Sequence, residues 1–199
     1  MEVLNLFPSC VYVEETKEID NNTISKIILE KEKKEPSRQL SNRGGWQSDG
    51  EIQQDKRFAE IVKELSEMFL PIYKQHNYTS ECDGVLKSMW ANVNRGKNYN
   101  ITHTHEGSDW SFVYYVKIPK DSGDLVLIDP RIRKQSGRWP LNLYKNLNSP
   151  FIQTIFSLSP VVGRFVIFPS YVEHYVEYNT TDKTRISISG NIVMEKIKR

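Results

Sequence analysis

Cysteine is scarce in this 199-residue chain: Cys10 and Cys82 are its only two, far apart, with no CxxC and no Cys/His spacing around either. That excludes a disulfide framework and a zinc ribbon, and leaves two ordinary thiols. Long apolar runs are also missing. No stretch approaches the roughly 18 apolar residues of a membrane span, and the opening MEVLNLFPSC has no basic region followed by an apolar run. The expectation is a cytoplasmic protein with no membrane partner, in which the Asn-x-Thr matches at Asn21, Asn77, Asn100 and Asn179 carry no glycosylation meaning. Excess charge is lacking too: 27 Lys and Arg stand against 25 Asp and Glu, and EKEKKE at residues 30–35 mixes signs as one solvated end of a helix does. No nucleic-acid footprint is visible. Histidine is rare, with four in the chain, yet two of them stand one residue apart in NITHTHEGSDW.

What is present suits one globular domain over residues 1–199, with 38% hydrophobic and 26% charged residues, large enough to bury a core and a ligand cavity. VLNLFPSCVYVEE reads as an opening strand interrupted by Pro8. NNTISKIILEKEKKE has an Asn/Thr start, with Ile24, Ile27 and Ile28 opposite a charged face, as an amphipathic helix requires. A second helix is clearer: Phe58, Ile61, Val62, Leu65, Met68, Phe69 and Ile72 recur at three- and four-residue spacing, and Pro71 is expected to end or kink it. From Val85 onward the pattern changes to short β-rich runs broken by Gly, Pro and Asn, namely VLKSMWANVNR, WSFVYYVKIP, DLVLID, GRFVIFP, EHYVEY and TRISISGNIV. No fixed-period repeat appears. The expected fold is mainly β, a sandwich or barrel covered on one outer face by the N-terminal helices. Residues 130–150 hold the longest stretch without regular pattern, a candidate lid or a plain surface excursion.

The last strand alternates strictly. Ile186, Ile188 and Ile192 share one face, and Arg185, Ser187, Ser189 and Asn191 share the other. In a half-exposed strand the polar face simply meets water. With helices packed over the isoleucines, it instead faces a barrel interior, where an arginine needs an anionic partner such as a ligand carboxylate. By the same parity His103 and His105 project to one side of an extended segment, and their imidazoles can converge on a metal ion; a surface pair or two satisfied strand histidines would read the same way. His174 follows GRFVIFPSYVE and precedes Arg185 by eleven residues, in what reads as a hairpin. His76, at the end of the second helix, is expected at the surface.

Taken together, His-x-His, Tyr-Tyr, Gly-x-x-x-x-Phe-Pro-Ser-x-x-x-His and the following Arg-x-Ser resemble the iron(II)/2-oxoglutarate-dependent oxygenases, closest to a branch met in phages and marine bacteria. The likeness runs through WANVNRG, HTHEGSDWSFVYYVKIP, SGDLVLIDPR, GRFVIFPSYVEH and RISISGNI, roughly Val85 to Val193, and more loosely through LFPSCVY. It implies a double-stranded β-helix, the jelly roll shared with cupins, with residues 1–83 as a strand and helical support buttressing the major sheet of a catalytic core over residues 84–195. It also implies Fe(II), 2-oxoglutarate and O2, and a dioxygenase that hydroxylates a small molecule or a peptide with release of succinate and CO2.

Carried over by this resemblance, His103 matches the first metal histidine and His174 the distal one. Arg185 matches the residue that clamps the far carboxylate of 2-oxoglutarate, with Ser187 as its helper and Tyr115 as a strand tyrosine that donates to the same group. An arginine fork meets a carboxylate bidentately, which a lysine cannot do. The departure is His105, where the family commonly has a carboxylate; Glu106 has the wrong strand parity, and Asp109 lies farther along in an apparent turn. His105 is taken as the third ligand, with Glu106 or Asp109 as the lesser alternative. Asn92, Asn94 and Asn191 are candidates for polar contacts inside the barrel or for structural hydrogen bonds, and Trp90, Trp110 and Trp139 for the mouth or for core packing. Two other classes fit in part. A cupin-like metalloenzyme without 2-oxoglutarate needs no cationic anchor facing the cavity, and a non-catalytic jelly-roll module needs no histidine cluster.

Overall fold

The computed structural model describes residues 2, 7–131, 145 and 153–197. Most of the candidate loop at 130–150, including Trp139, lies outside these residues.

Two antiparallel sheets and two helices make up the described architecture. The strands are β1 (Tyr12–Glu15), β2 (Asn42–Arg43), β3 (Trp46–Gln47), β4 (Cys82–Asn94), β5 (Tyr99–His103), β6 (Trp110–Lys117), β7 (Leu125–Ile128), β8 (Ile155–Leu158), β9 (Arg164–Pro169), β10 (His174–Val176) and β11 (Arg185–Lys196). The major sheet has the order β1-β9-β6-β11-β4-β3, and the minor sheet β2-β5-β10-β7-β8. This is the expected double-stranded β-helix. No helix among the described residues is long and apolar enough to cross a membrane.

Helix α1 (Asn21–Lys34) starts at the first residue of its Asn/Thr run, and Asp20 just before it is the cap: its Oδ1 accepts from the backbone N–H of Asn22 and of Thr23, each at 3.1 Å. Helix α2 (Ala59–Gln75) is not ended by Pro71 and runs through the proline for another turn. Pro71 and Glu67, whose carbonyl loses its helical partner, both face solvent. On the opposite face Phe69 and Ile72 are buried, at about 1.5–3 kcal/mol each, which offsets the roughly 3 kcal/mol cost of an interior proline.

The period of two in the strands divides the core into two layers. Ile186, Ile188 and Ile192 of β11, Met89, Ala91 and Val93 of β4, and Trp110, Phe112, Tyr114 and Val116 of β6 form one layer with Ile24 and Ile28 of α1 and Ile61, Leu65, Phe69 and Ile72 of α2. The helices therefore buttress the major sheet, as expected. Val113 and Tyr115 of β6 and Val166 and Phe168 of β9 face the other way and pack with Leu125 and Leu127 of β7 between the sheets.

One connection differs from the expected hairpin. His174 lies on β10 of the minor sheet and pairs with β5 and β7, whereas Arg185 opens β11 of the major sheet. The intervening residues cross from sheet to sheet, tied down by the fully buried Asn179. Its Nδ2 donates to the carbonyls of Asn94 at 3.3 Å and Lys183 at 2.8 Å, and its backbone N–H donates to Asn98.

Candidate metal centre

The crossover brings the histidines together from two strands and a loop. His103 ends β5 and pairs directly with His174, the first residue of β10. His105 lies just past β5, and its backbone N–H donates to Ser170 O at 3.0 Å, which keeps the chain extended long enough for both residues of the pair to turn inward. Ring centroids are 4.3 Å apart for His103 and His174, and 5.0 Å apart for His105 from each of the others. One ring nitrogen from each lies within 4.8 Å of the other two, so a single cation can be reached by all three.

Backbone carbonyls select the tautomers. His103 Nδ1–H donates to Ile101 O at 2.7 Å and His174 Nδ1–H to Val172 O at 2.9 Å. Each leaves Nε2 unprotonated and free to ligate, because the carbonyl fixes both the tautomer and the orientation of the ring. His105 is steadied by Trp90, whose ring lies 5.6 Å away, and Phe168 packs edge-on against His174 at 4.8 Å. Burial is the largest influence on all three rings: it lowers His103 and, with mutual repulsion, brings His105 to about 4 and His174 to about 3. The neutral form that a metal requires is the form present at pH 7.

The alternative carboxylates do not join this group. Glu106 sits in an exposed turn, and Asp109 Oδ2 accepts from the Met194 backbone N–H at 2.7 Å, tying the turn to β11. Of the two alternatives for Trp110, core packing holds: it lies in the helix-facing layer, packed on Tyr12, Phe69 and His76, because its parity on β6 is that of Phe112 and Tyr114. His76 is exposed, as expected, but has partners there, with its Nε2 2.9 Å from the Tyr12 hydroxyl.

The cavity between the sheets is lined by the three histidines together with Arg185, Ser187, Tyr115 and Asn92. Arg185 is 3% exposed. Its Nη1 donates to the carbonyls of Ser122 at 2.9 Å and Gly123 at 3.2 Å, its Nε has no partner, and among the described residues no carboxylate pairs with it. Burial pulls the guanidinium below its ordinary value, opposed by Tyr115 and Asp124. Gly123 has to be glycine: its φ is +89°, and a Cβ there would run into the Glu177 carbonyl. Tyr115 stands beside Ser187 in the register of β6 with β11, and burial pushes its phenol up to about 12, keeping it a proton donor. Asn92, across from Ser187 on β4, donates to Ser189 Oγ at 3.4 Å and leaves Oδ1 buried without a partner.

Other asparagines serve the frame. Asn191 accepts from Ser111 Oγ at 3.0 Å and donates to Ser88 Oγ at 3.4 Å, and the Asn94 carbonyl anchors Asn179. Ser41 and Asn100 also line the cavity and hydrogen-bond to each other at 3.0 Å. Neither was expected, since a two-residue strand such as β2 leaves no pattern from which its pairing with β5 could be read.

No curated protein matches the chain in sequence. Solved structures do match in fold. A prolyl hydroxylase from Trichoplax adhaerens, in complex with a hypoxia inducible factor oxygen degradation domain peptide fragment, has a TM-score of 0.62 at 14% identity, over 92% of this chain and 83% of its own. A Pseudomonas putida prolyl-4-hydroxylase gives 0.59 at 14% identity over 96% and 94%. The non-heme alpha ketoglutarate dependent carbocyclase SnoK, from nogalamycin biosynthesis, gives 0.64 at 13% identity over 95% and 82%. At such identities these likenesses establish the fold alone. The sequence adds the family: residues 88–191, more than half of the chain, match the one described as "Putative 2OG-Fe(II) oxygenase". The chain therefore belongs to the 2OG-Fe(II) oxygenases, a family of oxidoreductases that works with Fe(II), 2-oxoglutarate and O2.

Proposed function

We propose that this protein is a 2-oxoglutarate-dependent hydroxylase, with His103, His105 and His174 as the ligands of Fe(II) and with Arg185, Ser187, Tyr115 and Asn92 forming the cosubstrate end of the same cavity. The chain acts as one domain in which residues 1–83 support a catalytic core over residues 84–195. One observation carries this reading: a buried arginine without a carboxylate partner shares a cavity with three imidazoles whose ring nitrogens come within 4.8 Å of one another. Buried charges are ordinarily paired, so an arginine left in this state supports a site built for an anion.

The donor chemistry fits the group. Neutral imidazole suits Fe(II), and three such ligands leave positions open on an octahedral ion. When bound, Fe(II) with its cosubstrate supplies the oxidising power for the overall change R–H + 2-oxoglutarate + O2 → R–OH + succinate + CO2. The residues of this chain bind and orient. Arg185 offers its fork to one carboxylate of 2-oxoglutarate, and Tyr115 and Ser187 are placed to donate to the same oxygens. The carbonyls of Ile101 and Val172 hold two imidazoles in the ligating tautomer. Phe168 and Trp90 wall the centre and limit water.

The test is conversion of 2-oxoglutarate to succinate by the Fe(II)-loaded protein in air, without added substrate. Slow, O2-dependent release of succinate is expected, with loss of that release in His174→Ala and in Arg185→Met. Succinate formation unaffected by either substitution would refute the assignment. Metal uptake without any effect of 2-oxoglutarate would favour a metalloenzyme of another kind.

A further inference from the structure

Beside the histidines, a groove of about 590 Å³ shares Ser41, Trp90, His103 and His105 with the inner cavity. Its apolar lining includes Leu40, which is 57% exposed, and Ile101, which is 37% exposed. Exposed side chains of this type seldom need explaining singly, but here they lie together along one concave surface next to the candidate metal centre. The groove also contains a cation. Arg38 lines it, with Nη1 3.6 Å from where a Cβ on Gly50 would stand. Among the described residues no carboxylate lies within ion-pair distance of Arg38. Neither the groove nor the inner cavity is lined by any Asp or Glu among those residues.

Charge balance leads to the same kind of ligand. In the reading above, three neutral imidazoles contribute nothing, so a divalent ion and Arg185 bring three positive charges into a space that 2-oxoglutarate supplies with two negative ones. A carboxylate at the position of His105 would have cancelled the remainder. With histidine there, the residues that line the enclosed site leave one positive charge, with Asp124 acting on Arg185 from outside that lining, and the groove leading to it adds Arg38 without adding an acid. Clefts of one sign draw in ligands of the other.

We propose that the substrate is a small organic carboxylate with an apolar body, its carboxylate met by Arg38 and its body lying on Leu40, Ile101 and Trp90, so that a C–H group comes to rest beside His103 and His105. This rests on the metal-centre reading above. Hydroxylation follows the balance already given, one oxygen atom of O2 entering the C–H bond and the other the new carboxylate of succinate, while the carboxylate next to the keto group leaves as CO2. The volume of the groove is that of a small-molecule site.

The experiment uses full-length protein loaded with Mn(II) and saturating 2-oxoglutarate, each uptake measured first by calorimetry. It is then titrated with 4-phenylbutyrate and with octanoate, each against its primary amide. The acids are expected to bind and raise the melting temperature, and the amides to bind about tenfold more weakly, as for loss of one charge-assisted contact. Arg38→Gln should reduce the acids to the level of the amides, and Arg38→Lys should keep most of the preference. Equal binding of acid and amide, no binding of either acid, a preference unchanged in Arg38→Gln, or displacement of 2-oxoglutarate by the acids would each overturn the proposal. Failure of Mn(II) or 2-oxoglutarate to bind in the first stage would instead overturn the metal-centre reading on which it rests.

Discussion

On one side of strand β11, Ile186, Ile188 and Ile192 are closed over by two helices, and the Tyr114 hydroxyl that enters this layer donates to Asn21 Oδ1 at 2.9 Å. On the other side, Arg185 Nε and Asn92 Oδ1 are buried without partners, and three imidazoles are held neutral beside them. The two faces belong to the same strands and differ by one residue of register. What the helix face contributes is stability. The cavity face is incomplete, since its buried donors and acceptors have cost desolvation that nothing in the chain returns, so what it contributes is binding.

Substitutions on the two faces should therefore have opposite signatures. Ile188→Ala on the helix face is expected to lose about 2–5 kcal/mol in urea unfolding, with 2-oxoglutarate affinity of the folded, metal-loaded protein unchanged. A matching loss of affinity would mean that the faces are not separable. Arg185→Met should do the reverse, weakening 2-oxoglutarate in calorimetry by about 1.5–3 kcal/mol while leaving unfolding stability unchanged or raised, because it removes a buried charge that no carboxylate pairs among the described residues. Destabilisation as large as that of Ile188→Ala would show that Arg185 is structural.

Acid should also act on the cavity face. Below about pH 6.5 the unfolded chain takes up protons on its histidines, whereas the folded site refuses them until His105 titrates near 4 and His174 near 3. Stability of the metal-free protein is thus fully present above pH 7 and falls as pH drops through this window, by on the order of 2 kcal/mol for each of these two histidines at pH 5. His105→Asn should flatten part of that slope in thermal melts taken across pH, and an unchanged slope would place the loss elsewhere. The tyrosine pair gives the smallest and sharpest contrast. Tyr114→Phe should cost about 1 kcal/mol of stability and no affinity, and Tyr115→Phe a similar amount of 2-oxoglutarate affinity and little stability.

The comparison also explains what could be read in advance. Strict alternation in TRISISGNIV is visible without coordinates, and it assigns Arg185 and Ser187 to one face and the isoleucines to the other. The same rule applied to WSFVYYVK would have placed Trp110 with Phe112 and Tyr114 under the helices, so that signal was present in the chain. Parity also brings His103 and His105 to one side. The partnering of His174 was not legible, because a sheet-to-sheet crossover held by side-chain bonds from one buried asparagine has the same length and composition as a hairpin turn. Arg38 and Ser41 were missed for a related reason: they lie in the irregular stretch between α1 and the two-residue strand β2, where no period can be read. That α2 continues past Pro71 was not legible, because the burial that carries it through comes from the far side of the helix, which local propensity does not register.

The most direct measurement is a crystal structure of the protein soaked with Mn(II) and 2-oxoglutarate. The account predicts one ion about 2.0–2.3 Å from a nitrogen of each of His103, His105 and His174, with a cosubstrate carboxylate on Arg185. An ion held by Glu106 or Asp109, or a keto acid bound away from Arg185, would contradict it.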